Sequence, residues 1–105
     1  MIKVISGARR HPALSEDEFK RKMREEHAPL VARFPALVEY LVHFAVGKGP
    51  WDAVVELVFP DEQAFHAALA SPAGQEAFAH MRELIDMSTV QSGVFEVASG
   101  LEGTQ

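Results

Sequence analysis

His27, His43 and Glu56 are the residues of this chain whose types and spacing suit proton-transfer chemistry. An imidazole titrates near neutral pH, so it can take and return a proton under ordinary conditions, and a carboxylate beside it can orient or charge it. His27 lies in a stretch, residues 14–31, that reads as a well-started helix: Ser15 followed three residues later by Glu18 is a capping box, each side chain accepting from an orphan N–H of the first turn. At roughly 100° per residue, Phe19, Met23, Leu30 and Phe34 fall on an arc about 60° wide, and His27 lies about 20° beyond it, away from Lys20, Arg21, Lys22 and Arg24. A histidine so placed is partly buried and needs a hydrogen-bond partner. It is either a structural tie or a proton-transfer group, and both readings stay open.

His43 and Glu56 belong to a hairpin. Residues 38–46 and 51–59 are strand-like runs around Gly47-Lys48-Gly49-Pro50, a four-residue connection that pairs Val46 with Trp51 and sets His43 and Glu56 diagonally on one face. Alternation gives a wholly apolar face, Val38, Tyr40, Val42, Phe44 and Val46 with Trp51, Ala53, Val55, Leu57 and Phe59, and a mixed one, Glu39, Leu41, His43 and Ala45 with Asp52, Val54, Glu56 and Val58. The apolar face belongs under helices. The mixed face would expose Leu41, Val54 and Val58 among ionisable groups, so it calls for a second cover, and in a chain this short the economical cover is another copy of the same sheet. A scatter of tolerated surface aliphatics is the plainer alternative. His27 reaching the enclosed cavity from the helix side makes His27, His43 and Glu56 the candidate catalytic set, with Tyr40, Leu41, Val54 and His80 as candidate ligand contacts. A buried His43–Glu56 pair that only fixes the register of a dimer is the structural alternative. His80 lies roughly 120° from the centre of the Phe78, Met81, Ile85 stripe, which predicts a solvated or half-exposed ring. Trp51 reads as a core plug. No spacing such as His-x-x-x-His supports a metal site from His27, His43 and Glu56, and no metal is expected.

At 105 residues the chain is long enough for one domain, residues 1–105, with a core over about 1–98 and a flexible tail over 99–105. Ten Lys and Arg against fifteen Asp and Glu give a net charge of −5, the wrong sign for a phosphate-reading surface, so nucleic acid is excluded as a partner. The absence of cysteine removes disulfides, thiolate nucleophiles and thiolate metal sites and suits a reducing compartment. The apolar start is too short for a signal peptide, and no run reaches the ~18 residues of a membrane span, so a soluble, cytoplasmic protein with no membrane partner is expected. Along the chain the pattern predicts a strand over 2–7 and a helix over 15–34, kinked near 25–28 by Pro29. The hairpin follows, then a short helix opened by Asp61 and interrupted at Ser71-Pro72, a further helix to about Met87, and a strand over 89–98. That order is βαββαβ, an α+β ferredoxin-like unit whose four-stranded antiparallel sheet carries its helices on one face. Gly47-Lys48-Gly49 lacks the following helix of a phosphate-cradling loop, and no motif implies a cofactor.

Glu18-Phe19-Lys20-Arg21 running into Glu26-His27-Ala28-Pro29-Leu30-Val31, then residues 52–59 and Ser71-Pro72-Ala73-Gly74, resembles the EthD family within the dimeric α/β-barrel superfamily, from Met1 to about Val97. The resemblance implies a homodimer whose two sheets pack face to face into a barrel with a small apolar cavity. Some family members are named for a role in ether degradation beside a cytochrome monooxygenase system. Others isomerise methylated muconolactones or act in polyketide tailoring as decarboxylases or cyclases, and the wider superfamily holds cofactor-free and haem-degrading monooxygenases. The muconolactone isomerases share the histidine matching His27 and a histidine after an aromatic on the second helix, as in Phe78-Ala79-His80. Their cysteine has no counterpart here. Two expectations follow. One is a cofactor-free, histidine-assisted proton transfer of the isomerase, decarboxylase or cyclase kind on a small hydrophobic metabolite bearing a carbonyl or ring. The other is a non-catalytic dimer that binds a ligand or serves an oxygenase system as an accessory.

Overall fold

The computed structural model describes residues 1–99. Its strands are β1 (Ile2–Arg10), β2 (Glu39–Phe44), β3 (Ala53–Phe59) and β4 (Ile85–Glu96); its helices are α1 (Glu16–Lys22), a π turn (Met23–His27), α2 (Ala28–Val31), α3 (Glu62–Ala70) and α4 (Pro72–Leu84). The four strands form one sheet in the order β2-β3-β1-β4, antiparallel throughout. This is the ferredoxin-like α+β arrangement predicted from the pattern. The tail expected beyond residue 98 lies, from Gly100 onward, outside the described residues.

The capping box is present: Glu18 N–H donates to Ser15 Oγ, and the Glu18 carboxylate accepts from the Ser15 N–H. The break near Pro29 takes the form of a π turn, in which the Ala28 N–H donates to Met23 O, five residues back. The widened turn shifts the helical phase, and the buried stripe becomes Phe19, Met23, His27 and Val31. A uniform helix would let residues four apart drift by about 40° per step, which is why Leu30 and Phe34 replace Val31 in the expected stripe. The helix also stops earlier than residue 34, the chain turning through Ala36 at a left-handed φ of 61°.

In the hairpin, Phe44 pairs with Ala53, His43 with Val54 and Leu41 with Glu56, the register that a Val46–Trp51 pairing implies. Residues of one parity, Ala8, Val42, Phe44, Ala53 and Val55, pack with Phe19, Met23 and Leu84, so the helices lie on one face of the sheet. Phe19 meets Phe44 edge to face at 5.9 Å, and Phe59 meets Phe65 of α3 at 5.5 Å.

Three departures have local causes. β1 continues past Gly7 to Arg10 because the irregularity between Gly7 and Arg9 has its backbone donors met by side chains: Arg9 N–H donates to Thr89 Oγ1 at 2.9 Å and Arg10 N–H to Asp52 Oδ2 at 2.8 Å. That extension pairs with Ile85 and Asp86, so β4 begins there and α4 ends at Leu84 instead of near Met87. Trp51 is on the opposite face from the one predicted. Gly7 pairs with Val54, and a Cβ on Gly7 would come within 2.5 Å of the Trp51 ring, so the indole covers the face that bears Val54 and Glu56. β3 starts only at Ala53, and strand alternation does not bind a residue before the ladder.

Ser71 joins the last two helices: its Oγ donates to Ala68 O at 2.6 Å and accepts from Gly74 N–H at 3.1 Å. A Cβ on Gly74 would run into the backbone carbonyls of Ala68 and Leu69, which cannot move without unpacking α3. Gly74→Ala should therefore lower stability by about 1–3 kcal/mol in chemical denaturation. Gly49→Ala, with open space around it, should stay within about 0.5 kcal/mol.

Candidate functional site

His27 is 4% exposed, a buried polar side chain among the described residues. The π turn points it at α4, where His80 meets it with Nδ1 to Nδ1 at 3.0 Å. The ring planes are 18° apart and the centroids 5.2 Å apart. That separation is the N···N distance plus two ring radii of about 1.1 Å, so the imidazoles meet edge to edge in nearly one plane. One Nδ1 must carry the proton and the other must accept it. His27 Nε2 has no hydrogen-bond partner among the described residues, yet it is not among the fully sealed unpaired atoms, so this nitrogen keeps a trace of open surface. Burial, and then the charge His80 can carry, push the His27 pKa down from 6.5 to about 4. The ring is neutral at physiological pH.

His80 is less exposed than its helical position predicts, its side chain 18% accessible. A 120° offset points to solvent only where nothing lies over that flank, and here the π turn lies over it. Its Nε2 faces Glu26 Oε1 at 3.6 Å, so both ring nitrogens look onto protein groups instead of a ligand. Lost hydration pushes the Glu26 carboxyl upward, but the Lys22 and Arg21 charges and the contact with His80 outweigh it and hold the group below the usual range.

His43 and Glu56 sit where the register predicts, diagonally on the helix-free face, with His43 Nε2 to Glu56 Oε2 at 2.5 Å. Lys3 holds the other carboxylate oxygen at 3.0 Å. Hydrogen bonds from Lys3 first and His43 second keep Glu56 ionised well below the ordinary range, so His43 Nε2 donates. Leu41 and Val54 share this face.

The expectation of one cavity for His27, His43 and Glu56 is therefore corrected. His27 and His80 lie in the helical layer, His43 and Glu56 on the other side of the sheet, and the strands stand between them. Two-residue alternation fixes the face of His43, whereas His27 reaches only what its helix packs against. Tyr40 belongs to the helix side, since it pairs with Leu57 in the parity of Val42 and Val55. Its hydroxyl is buried with no partner among the described residues, and burial raises its pKa from 10.0 to about 12. Glu26 is the residue the sequence reading missed; its place directly before His27 was the available signal.

Two surface clefts lie among the described residues, and neither is lined by His27, His80, Tyr40, His43 or Glu56. One of about 340 Å³ is lined by Arg10, Glu16, Phe19, Lys20 and Asp52, and one of about 540 Å³ by Leu69, Phe78, Ala79 and Arg82. Among the described residues no three His, Asp or Glu side chains are placed to hold a metal ion, and no helix is long and apolar enough to cross a membrane.

The low pKa of His27 has a consequence for stability. In the unfolded chain the ring titrates near 6.5 and in the folded chain near 4, so between these values the unfolded state holds the extra proton. Stability from this group is complete above about pH 6.5 and falls as pH drops toward 4, by on the order of 3 kcal/mol. Thermal melts across that range should show this loss in the wild type and a smaller one in His27→Leu.

The arrangement has known counterparts. An EthD family protein from Bacillus halodurans superposes with a TM-score of 0.78 at 19% identity, covering 91% of this chain and 97% of its own. SnoaB, a cofactor-independent oxygenase from Streptomyces nogalater, gives 0.74 at 23%, covering 95% of each chain. A dimeric ferredoxin-like protein from Thermobifida fusca gives 0.73 at 22%, covering 90% of this chain and 88% of its own. At such identities the likeness speaks for the fold. No curated protein sequence matches the chain. Residues 11–88, from the loop after β1 into β4, match the EthD domain, and the chain belongs to the EthD family.

Proposed function

We propose that this protein is a homodimeric small-molecule tailoring or catabolic enzyme that moves a proton on a hydrophobic compound bearing a carbonyl or ring, with His27 as the base. The observation that carries this reading is the state of His27: buried, neutral, tied through Nδ1, with no hydrogen-bond partner for Nε2 among the described residues. In the step, Nε2 takes a proton from the carbon alpha to a carbonyl, and the C–H electron pair moves into the carbonyl to give an enolate. Tyr40 Oη–H, short of a partner on the same side of the sheet, donates to the enolate oxygen. The imidazolium then returns the proton to another carbon, and no redox change occurs. A low pKa makes a weak ground-state base, but the enolate charge beside it stabilises the imidazolium as the proton moves. Two relatives of this fold, one described as a cofactor-independent oxygenase and one as an antibiotic biosynthesis monooxygenase, support small-molecule tailoring.

The helix-free face is the dimer surface in this reading. Leu41 and Phe95 stand 40% and 52% exposed there around the Lys3, Glu56, His43 cluster, and similar proteins are described as dimeric. His43 and Glu56 then fix how the two sheets meet, and Leu41 and Val54 pack across the interface.

The test is proton–deuterium exchange, read by NMR, on a panel of methyl-substituted unsaturated lactones and cyclic diketones in D2O. His27→Ala should lose about 10²- to 10⁴-fold of the exchange rate with the dimer intact by light scattering. A panel member that binds without exchanging, with affinity indifferent to His27→Ala, would establish the ligand-binding alternative. Tyr40→Phe separates a second effect. Removing an unpaired buried hydroxyl should raise the stability of the free protein by about 1 kcal/mol, while affinity for a carbonyl ligand falls about tenfold.

A further inference from the structure

We infer that Glu26 and His80 form a relay behind His27, in which the Glu26 carboxylate holds the His80 proton on Nε2, His80 Nδ1 accepts from His27 Nδ1–H, and His27 Nε2 is left as the bare nitrogen. This deepens the reading of His27 as a base and rests on it for its catalytic meaning, though not for its geometry. Glu26 and His80 are positioning residues.

The 3.0 Å contact between two Nδ1 atoms admits one proton, so exactly one ring donates. Which ring donates decides the chemistry: if His80 donates, a neutral His27 carries its own proton on Nε2 and has no lone pair to offer there. Glu26 breaks the tie. A carboxylate only accepts, and its Oε1 lies 3.6 Å from His80 Nε2, long for a direct hydrogen bond but close enough for its charge to favour an N–H at that position. A neutral His80 protonated on Nε2 has a bare Nδ1, and His27 must then supply the proton between the rings. Glu26 and His27 are consecutive, and the π turn lets these neighbours reach opposite edges of one imidazole on α4.

The charged groups around the relay are accounted for. From α1, Lys22 at 3.6 Å and Arg21 at 3.4 Å keep Glu26 ionised, and Arg21 also meets Glu25 at 3.5 Å. On α4, Glu76 is paired with Arg33 at 3.0 Å, Arg82 lies over the Phe78 ring, and Glu83 is solvent-exposed. From the sheet, Tyr40 keeps its proton.

The experiment is long-range ¹H–¹⁵N NMR of the histidine rings in the full chain at pH 7.5, which assigns each tautomer without any substrate. The wild type should show His27 protonated on Nδ1, and Glu26→Ala, a change at a half-exposed helical position, should shift the His27 tautomer ratio toward Nε2–H by about three- to tenfold. A wild-type His27 protonated on Nε2, or a ratio unmoved in a folded Glu26→Ala protein, would overturn the relay. In the exchange assay, Glu26→Ala should lower kcat about tenfold with KM unchanged, and Glu26→Asp should recover part of it. A tautomer shift in Glu26→Ala alongside exchange that ignores His27→Ala would keep the relay and remove the catalytic reading. Exchange that needs His27 but ignores Glu26→Ala would do the reverse.

Discussion

Pro29 has no N–H to give to the carbonyl of Glu25, and in a regular helix its ring would crowd that carbonyl. The chain answers by widening the turn before it, so that Ala28 bonds to Met23 five residues back and the helix resumes as α2. One extra residue in that turn is enough to bring Phe19, Met23, His27 and Val31 to a single side at a constant spacing of four. The burial of His27, its contact with α4 and the flanking position of Glu26 all follow from this backbone adjustment. A π turn inside a helix costs hydrogen-bond quality, and such turns concentrate where a side chain has to be aimed.

The sheet then acts as a partition between two settings for the same residue types. On the helix side an imidazole is buried against another imidazole, water is largely excluded, and a charge on His27 is disfavoured strongly enough to bring its pKa to about 4. On the other side, His43 and Glu56 meet at 2.5 Å with Lys3 alongside, and the His43 side chain is 50% exposed. There the carboxylate stays ionised because two donors hold it. Low dielectric strengthens the contact within the first pair; solvent screening leaves the second as a fixed charge cluster on an exposed face.

That surface is shaped by glycines that leave room for aromatic rings. The Trp51 ring lies against Gly7, and Phe95 folds over Gly93, where a Cβ would come within 2.8 Å of the ring. Aromatic rings packed against glycine cover backbone on the face that the helices do not reach.

Local rules made much of this protein legible in its sequence. The capping box at Ser15 and Glu18, the break before Pro29, the βαββαβ order and the diagonal placement of His43 and Glu56 each depend on neighbours in the chain or on two-residue alternation, which hold whatever the rest of the molecule does. Other features depended on what packs against what. The form of the break, and with it the choice of Val31 over Leu30, was set by how far the turn opened. Trp51 lay outside the ladder that would have bound it to one face, and β4 started early because β1 ran on past its bulge. His80 was drawn from its expected exposure by a helix 53 residues away in the chain. Most of all, the separation of His27 from His43 is a fact of layering: a sequence shows that two histidines face inward, but only the packed sheet decides whether they face the same interior.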